Sequence, residues 1–288
     1  MHLEPVNGAV KPVAKSDKQS PDRLWAHTRA LLSRLRQDPV SLAGKILSRG
    51  AYTLRTGYWH SGERPCPDFP DEIFVNQLKL YKFASQFCAG KVVLDVGCGT
   101  GYGTSCLAKV AGSAVGIDLS RQAIRFACRR FSNQRIRFLR MNAESFTFAD
   151  RSFDLVVSTE NFEHLGDQRT NLREMSRVLT DDGMLLLATP NPEMFLGINN
   201  PFHTHEFSYK ELLEVVGEFF CDCLISENLL APPTEEGRLL RENRRESGTQ
   251  GVNLAVNPVL WGQQIDTTWL SNTHSFLCFA RTPRRDVT

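Results

Sequence analysis

Short, almost continuous apolar runs alternate along the middle of the chain with stretches whose apolar residues recur three and four positions apart. Val92–Val96 predicts a buried strand, Tyr102–Val110 a helix and Ala114–Asp118 a second strand. Arg121–Arg130 predicts a helix that turns Ile124, Ala127 and Cys128 inward, and Ile136–Met141 and Phe153–Ser158 predict two more strands. Asn171–Leu179 reads as a helix, Asp181-Asp182-Gly183 as a turn and Met184–Thr189 as a fifth strand. Beyond Pro190, Ser208 is placed to cap a helix over Lys210–Phe219, and Cys221–Leu229 and Ser275–Arg281 complete seven strands. Strand–helix alternation with apolar strands implies an α/β fold: a doubly wound, mostly parallel seven-stranded sheet of the Rossmann-like kind.

The flanks differ from this middle. Residues 1–20 mix Lys, Ser, Pro and Asp with few large apolar groups and read as a disordered tail. Pro21–Arg36 has Leu24, Leu31, Leu32 and Leu35 on one side and Arg23, Arg29, Arg34 and Arg36 around the rest, a basic amphipathic helix. Leu42–Leu47 continues it and Phe74–Phe87 adds another helix. These predict an N-terminal helical extension over 21–87, a main domain over 88–288, and an acceptor or lid insertion over 231–272. The last two strands are about 45 residues apart, a connection long enough to carry function. The amphipathic segment 21–49 packs on its own domain, on a sister subunit in a homo-oligomer, or on a membrane surface.

Composition narrows the class without naming it. A net charge of +2 over 288 residues lacks the basic excess of a nucleic-acid binder. No apolar run is long enough for a membrane span, and Met1–Pro21 has no secretory core. Eight cysteines without a Cys-x-x-Cys pair read as free, mostly buried thiols in a reducing cytoplasm.

The chemistry begins where the first strand ends. Asp95 is followed by Gly97, Cys98, Gly99, Gly101 and Gly103, a turn in which backbone can approach a ligand closely. Tyr102 stands where the dinucleotide fingerprint has its third glycine, and the acid suits a ligand with a cationic amino group rather than a pyrophosphate. Asp118 ends the second strand, where a carboxylate can take both hydroxyls of a ribose. At the end of the third, Asn142 and the backbone of Ala143 can read an adenine edge.

In this order, Asp-Val-Gly-Cys-Gly-Thr-Gly, Gly-Ile-Asp-Leu-Ser, Ser-Phe-Asp-Leu-Val, Arg-Val-Leu and Thr-Pro-Asn resemble the class I S-adenosylmethionine (SAM)-dependent methyltransferases over residues 91–190. The resemblance implies SAM as cofactor. Its amino-acid arm would lie near Asp95 and Gly97, its ribose on Asp118, and its adenine between Leu119 and Ala143. Cys98, Gly99, Gly101 and Thr159 would complete the site. Asn142 replaces the family's usual aspartate and keeps a hydrogen-bonding side chain.

Methyl transfer to a hydroxyl needs alignment and a proton acceptor. Ser158-Thr159-Glu160-Asn161-Phe162-Glu163-His164-Leu165 follows the fourth strand, at the reaction crevice. Its Glu-x-x-Glu-His is similar to O-methyltransferases of ubiquinone biosynthesis, which implies Glu160, Glu163 and His164 as ligands of Mg²⁺ or Mn²⁺. The alternatives are His164 as a metal-free general base and Glu-His as a helix cap or cofactor support. Asn200-Pro201-Phe202-His203-Thr204-His205-Glu206-Phe207 adds His203 as a base or an acceptor-orienting group. Gly62-Glu63-Arg64 with Asn-Pro-Phe-His-x-x-Glu-Phe resembles bacterial methyltransferases of sugar and glycan metabolism. Arg64 is placed to neutralise the cofactor carboxylate or an acidic acceptor. Tyr58, Trp59, Phe195, Phe202, Trp261 and Trp269 are candidates to line an acceptor pocket.

Three functions remain. The first is O-methylation of a small-molecule hydroxyl, on a sugar or glycan-linked metabolite. The second is N- or phenol O-methylation in secondary or quinone metabolism. The third is a non-catalytic SAM-fold subunit. A nucleic-acid substrate is not expected, because Thr189-Pro190-Asn191-Pro192 lacks the aromatic residue of the amine-methylating signature.

Overall fold

The predicted apolar runs assemble side by side. A computed structural model describes residues 64–68, 70–192, 200–226, 259–261, 263–266, 270 and 275–284. These lie in the second of two compact units, Ser48–Thr288. The tail, the helices expected over 21–36 and 42–47, Tyr58, Trp59, Gly62, Glu63, Phe195, Trp269 and most of the 231–272 insertion lie outside the described residues.

Helix α1 (Glu72–Ala84) starts where Asp71 accepts the backbone N–H of Phe74 at 2.9 Å. There follow β1 (Val92–Val96), α2 (Tyr102–Leu107), β2 (Ser113–Asp118), α3 (Arg121–Phe131), β3 (Ile136–Arg140) and β4 (Phe153–Thr159). Helix α4 (Gln168–Val178), β5 (Leu179–Pro190), α5 (Tyr209–Gly217), β6 (Phe220–Ser226), the two-residue strands β7 (Val259–Leu260) and β8 (Gln263–Gln264), and β9 (Ser275–Pro283) complete the order. Seven strands form one sheet in the order β3-β2-β1-β4-β5-β9-β6. β9 alone runs against its neighbours, so the sheet is mostly parallel, as expected.

Two-residue periodicity divides the core between the faces. Val93, Leu155, Val157 and Leu186 pack with Tyr81, Phe83, Leu107 and Ala127 on the side of α1, α2 and α3. Leu94, Val156, Leu185 and Leu187 pack with Leu172, Met175, Leu212 and Val216 on the side of α4 and α5. Both faces are covered, which is why the strands read as continuous apolar runs. It also brings the carboxyl ends of β1, β2, β4 and β5 together at one rim.

Two local expectations change. Asp181-Asp182-Gly183 is not a chain reversal. Phe153 pairs with Leu179 and Leu155 with Met184, so the acidic residues bulge out of a continuous β5, exposed while Leu179 stays buried. Helix α2 stops at Leu107, three residues short, and residues 108–110 close in turns before Gly112. Of the thiols, Cys66, Cys88, Cys98 and Cys278 are buried, whereas Cys128 and Cys221 are exposed and Cys106 and Cys223 half-buried. No described helix is long and apolar enough to cross a membrane.

Candidate active site

The turn after β1 is built from three left-handed glycines: φ is +76° at Gly97, +53° at Gly99 and +82° at Gly101. Gly97 and Cys98 both donate their N–H to Ile117 O at 2.9 Å, which ties the turn to β2. A Cβ on Gly101 would lie 2.6 Å from Ala127 Cβ, and one on Gly97 2.3 Å from the Asn161 side chain. At Gly99 a Cβ would meet nothing within 4 Å. Gly101 therefore serves packing, and Gly99 faces open space.

Asp118 closes the turn from β2. Its oxygens accept the N–H of Gly99 at 3.0 Å and of Ser120 at 2.7 Å, and Arg64 Nη2 lies 3.8 Å away. This joins three predicted residues, Arg64, Gly99 and Asp118, in one contact set. Beside it, one residue past β2, Leu119 is 56% exposed. Across from it, Ala143 O accepts Asn171 Nδ2 at 2.6 Å, and Asn142 Oδ1 is taken by Glu144 N. Glu144 accepts the N–H of Gly166 and Asp167, while Glu174 accepts that of Phe146. Arg177 binds Glu174, Asp150 and Phe148 O. The 142–150 loop is thus fastened to α4.

Asp95 is fully buried near the carboxyl end of β1, two residues before Gly97. Tyr81 donates to its Oδ1 at 3.1 Å and Thr104 to its Oδ2 at 2.6 Å. Burial pushes the carboxyl up to about 7 against the pull of those two hydroxyls.

Past β4 the backbone turns sharply. Glu160 sits at φ +48°, a strained conformation for a residue with a side chain. Its carboxylate accepts a hydrogen bond from Ser275 Oγ at 2.7 Å. Glu163 is buried and accepts Thr189 Oγ1 at 3.1 Å; burial, then the nearby Glu160 charge, hold its carboxyl well above the usual range. Burial likewise raises Glu160. His164 Nδ1 lies 3.0 Å from Phe202 O, so Nδ1 carries the proton, a carbonyl being able only to accept. Its ring meets that of His203 edge-on at 5.0 Å.

His203 is held at both ring nitrogens. Asn200 Oδ1 accepts the N–H of Phe202, which leaves its Nδ2 to donate to His203 Nε2 at 2.9 Å. The network therefore assigns the proton to Nδ1, which donates to Glu206 Oε1 at 2.5 Å. Thr204 fastens this loop by donating to Glu163 O and Leu165 O. Phe207 stacks on Phe162 at 5.1 Å.

Of the expected ligands Glu160, Glu163 and His164, the last two lie in a cluster with His203. Among the described residues the cluster able to hold a metal is Glu163, His164 and His203, whose ligand atoms lie within 4.8 Å of one another. One carboxylate and two imidazoles do not suit Mg²⁺, a hard ion that takes oxygen ligands. The residues fit SAM better. The open side of Gly99, the exposed Leu119, and Ser158 Oγ and Asn161 Nδ2, buried without a hydrogen-bond partner, lie around the ends of β1, β2 and β4. Thr159 is buried beside them. Tyr81, Thr104, Asn161, Thr189, Asn200 and Ser275 were not singled out from the sequence. Asn161, Thr189 and Asn200 stood within strings quoted from the sequence; Tyr81, Thr104 and Ser275 carried no local signal.

Comparison with known proteins agrees with this geometry. Residues 94–187 match the family described as "Methyltransferase domain". A Mycobacterium tuberculosis protein named "Probable S-adenosylmethionine-dependent methyltransferase" is 33% identical over 162 residues, 54% of this chain and 58% of that one. This chain thus spans less than two thirds of that relative's length. The O-methyltransferase rstn1 of Aspergillus nomiae is 30% identical over 164 residues, 52% of this chain and 71% of that one. A chain from the complex of the Haloferax volcanii Trm112 methyltransferase activator with its methyltransferase shares the fold. It has a TM-score of 0.51 at 17% identity and covers 73% of this chain and 92% of that one.

Proposed function

We propose that this chain, which belongs to the class I S-adenosylmethionine-dependent methyltransferases, methylates a hydroxyl of a sugar or glycan-linked metabolite without a metal ion. His203 carries the reading. Its proton is fixed on Nδ1 by Glu206, so the nitrogen facing Asn200 is the basic one. The relative named an O-methyltransferase and the sugar-methyltransferase resemblance of residues 61–64 and 200–207 support the hydroxyl acceptor.

Asp118 would hold the cofactor ribose, the 97–101 backbone its amino-acid arm with Arg64 on its carboxylate, and Leu119, Asn142 and Ala143 its adenine. SAM supplies a methyl carbon made electrophilic by the sulfonium. The protein's task is to align the nucleophile and take its proton. An acceptor hydroxyl replaces Asn200 at His203 Nε2, and Nε2 takes its proton as oxygen attacks. Glu206 stabilises the imidazolium that forms. His164, its Nδ1 spent on Phe202 O, orients His203 through the ring contact.

An amine acceptor is the second reading, favoured by the half-buried Glu160 just past the carboxyl end of β4. Both are tested by titrating the protein calorimetrically with SAM, with and without EDTA, and following labelled methyl into separate pools of sugars and of amines. We expect SAM binding and EDTA-insensitive transfer to sugars. Transfer to amines alone would select the second reading. Loss of transfer in EDTA would refute the metal-free mechanism.

A further inference from the structure

The segment before β1 grips the cofactor turn at several places. Thr100 Oγ1 donates to Pro65 O at 2.9 Å, and Tyr102 OH to Gln77 Oε1 at 2.6 Å. The Phe74 and Tyr102 rings lie 4.8 Å apart. The deepest contact is Tyr81 of α1 on Asp95. To make it, the Tyr81 ring passes so close to Gly103 that a Cβ there would be 2.1 Å from the ring. Tyr81, Gly103 and Thr104 thus act together to bring two hydroxyls onto one carboxylate.

That carboxylate is costly for the fold. Asp95 is 0% exposed on a central strand, between Gly116 of β2 and Val157 of β4. Among the described residues, the titratable groups whose charge bears on it are Tyr81 of α1, Cys88 beyond that helix, Cys98 of the turn, Cys106 of α2 and Asp118 of β2. All are neutral or anionic. A buried charge without a counterion is unfavourable, and a neutral residue of the same shape would cost less. The two hydroxyls favour the anion against burial, and none of these groups supplies it with a counterion.

We propose that Tyr81 and Thr104 are positioning residues for the ammonium group of the cofactor: they orient Asp95 and favour its charged form, so that α1 sets cofactor affinity from outside the crevice. This rests on the SAM reading above. The arriving ammonium supplies the positive charge Asp95 lacks. Without the Tyr81 hydroxyl, Asp95 keeps its proton to higher pH and meets the ammonium as a neutral acid.

The test is calorimetric titration of the full chain, wild type and Tyr81→Phe, with SAM and with methylthioadenosine, which lacks the amino-acid arm. It runs between about pH 6 and pH 7.5, below the usual range of an α-amino group. Tyr81→Phe keeps the ring on Gly103, and Thr104→Val is the independent second variant. Tyr81→Phe is expected to weaken SAM about tenfold at the acid end, the order expected for a hydrogen bond to a charged group. The deficit shrinks as pH rises, and methylthioadenosine affinity stays level. Two results overturn the inference while leaving the cofactor reading intact: wild-type binding of SAM with no change in either variant, or equal losses for both ligands at every pH. If wild-type protein binds neither ligand, the cofactor reading itself fails.

Discussion

Two glycines of the same turn are expected to fail in different ways when replaced by alanine. At Gly101, with φ at +82°, a side chain costs about 1–2 kcal/mol in backbone strain. Its Cβ would also press on Ala127 Cβ at 2.6 Å and the Phe138 ring at 2.8 Å. Neither can swing away, since Ala127 has no rotamer to change and Phe138 is buried, and overpacking of this kind adds about 1–3 kcal/mol. Gly101→Ala should therefore lower stability by about 2–5 kcal/mol, the sum of those contributions. Gly99, with φ at +53°, carries only the backbone cost of about 1–2 kcal/mol, because nothing lies within 4 Å of the added methyl. That methyl instead fills the space open to the cofactor, so Gly99→Ala should weaken SAM by tenfold or more on the order of one lost close contact set. Urea unfolding gives the stability change from the midpoint at constant slope, and calorimetry gives the affinity. Equal destabilisation of the two variants, or full SAM affinity in Gly99→Ala, would refute the division of roles.

Three further outcomes follow from the site. Asp95 has a folded carboxyl near 7 against an ordinary 3.8, so its contribution to stability is complete at low pH and is lost as pH rises through about 7. Asp95→Asn should flatten the fall in stability between about pH 4 and pH 7, by as much as about 4 kcal/mol from three units of 1.36 kcal/mol each, and an unchanged slope in pH-dependent urea unfolding would count against it. Arg177→Met strips Glu174, Asp150 and Phe148 O of their partner and should cost about 2–3 kcal/mol in unfolding experiments while weakening SAM through the loosened 142–150 loop. His203→Gln should lower kcat by about 10²–10⁴ with SAM affinity unchanged, and a near-normal kcat in a methyl-transfer assay would remove His203 as the base.

The sheet was legible because both of its faces are buried, so each strand declares itself as an apolar run. The cofactor side was legible because its residues cluster at strand ends a few positions from one another. Asp118 and Gly99, predicted separately, meet at 3.0 Å. What the chain did not disclose locally is long-range pairing. Ser275 reaches Glu160 from the far end of the sequence, and Tyr81 reaches Asp95 from a helix whose pattern signals only burial. The resemblance to O-methyltransferases of ubiquinone biosynthesis implied that Glu160 would join Glu163 and His164. Glu160 instead sits in a left-handed conformation, and no propensity marks a glutamate for it. The bulge at 181–183 misled for a similar reason: Asp-Asp-Gly signals a change of direction, and pairing with β4 on either side absorbed it.

The reversed direction of β9 has a consequence for how such a protein can diversify. Pro190 pairs with Ser275, and Ser226 with Leu277, so the chain leaves β6 and re-enters β9 at the same rim of the sheet. Residues 227–274 are therefore a passage whose two anchors are neighbours. Such a passage can be lengthened, shortened or exchanged between relatives without breaking a rung of the sheet. The glycine turn and Asp118 are anchored elsewhere, on β1 and β2. The glycine turn and that passage are thus encoded in separable stretches of gene, so one can change while the other is kept.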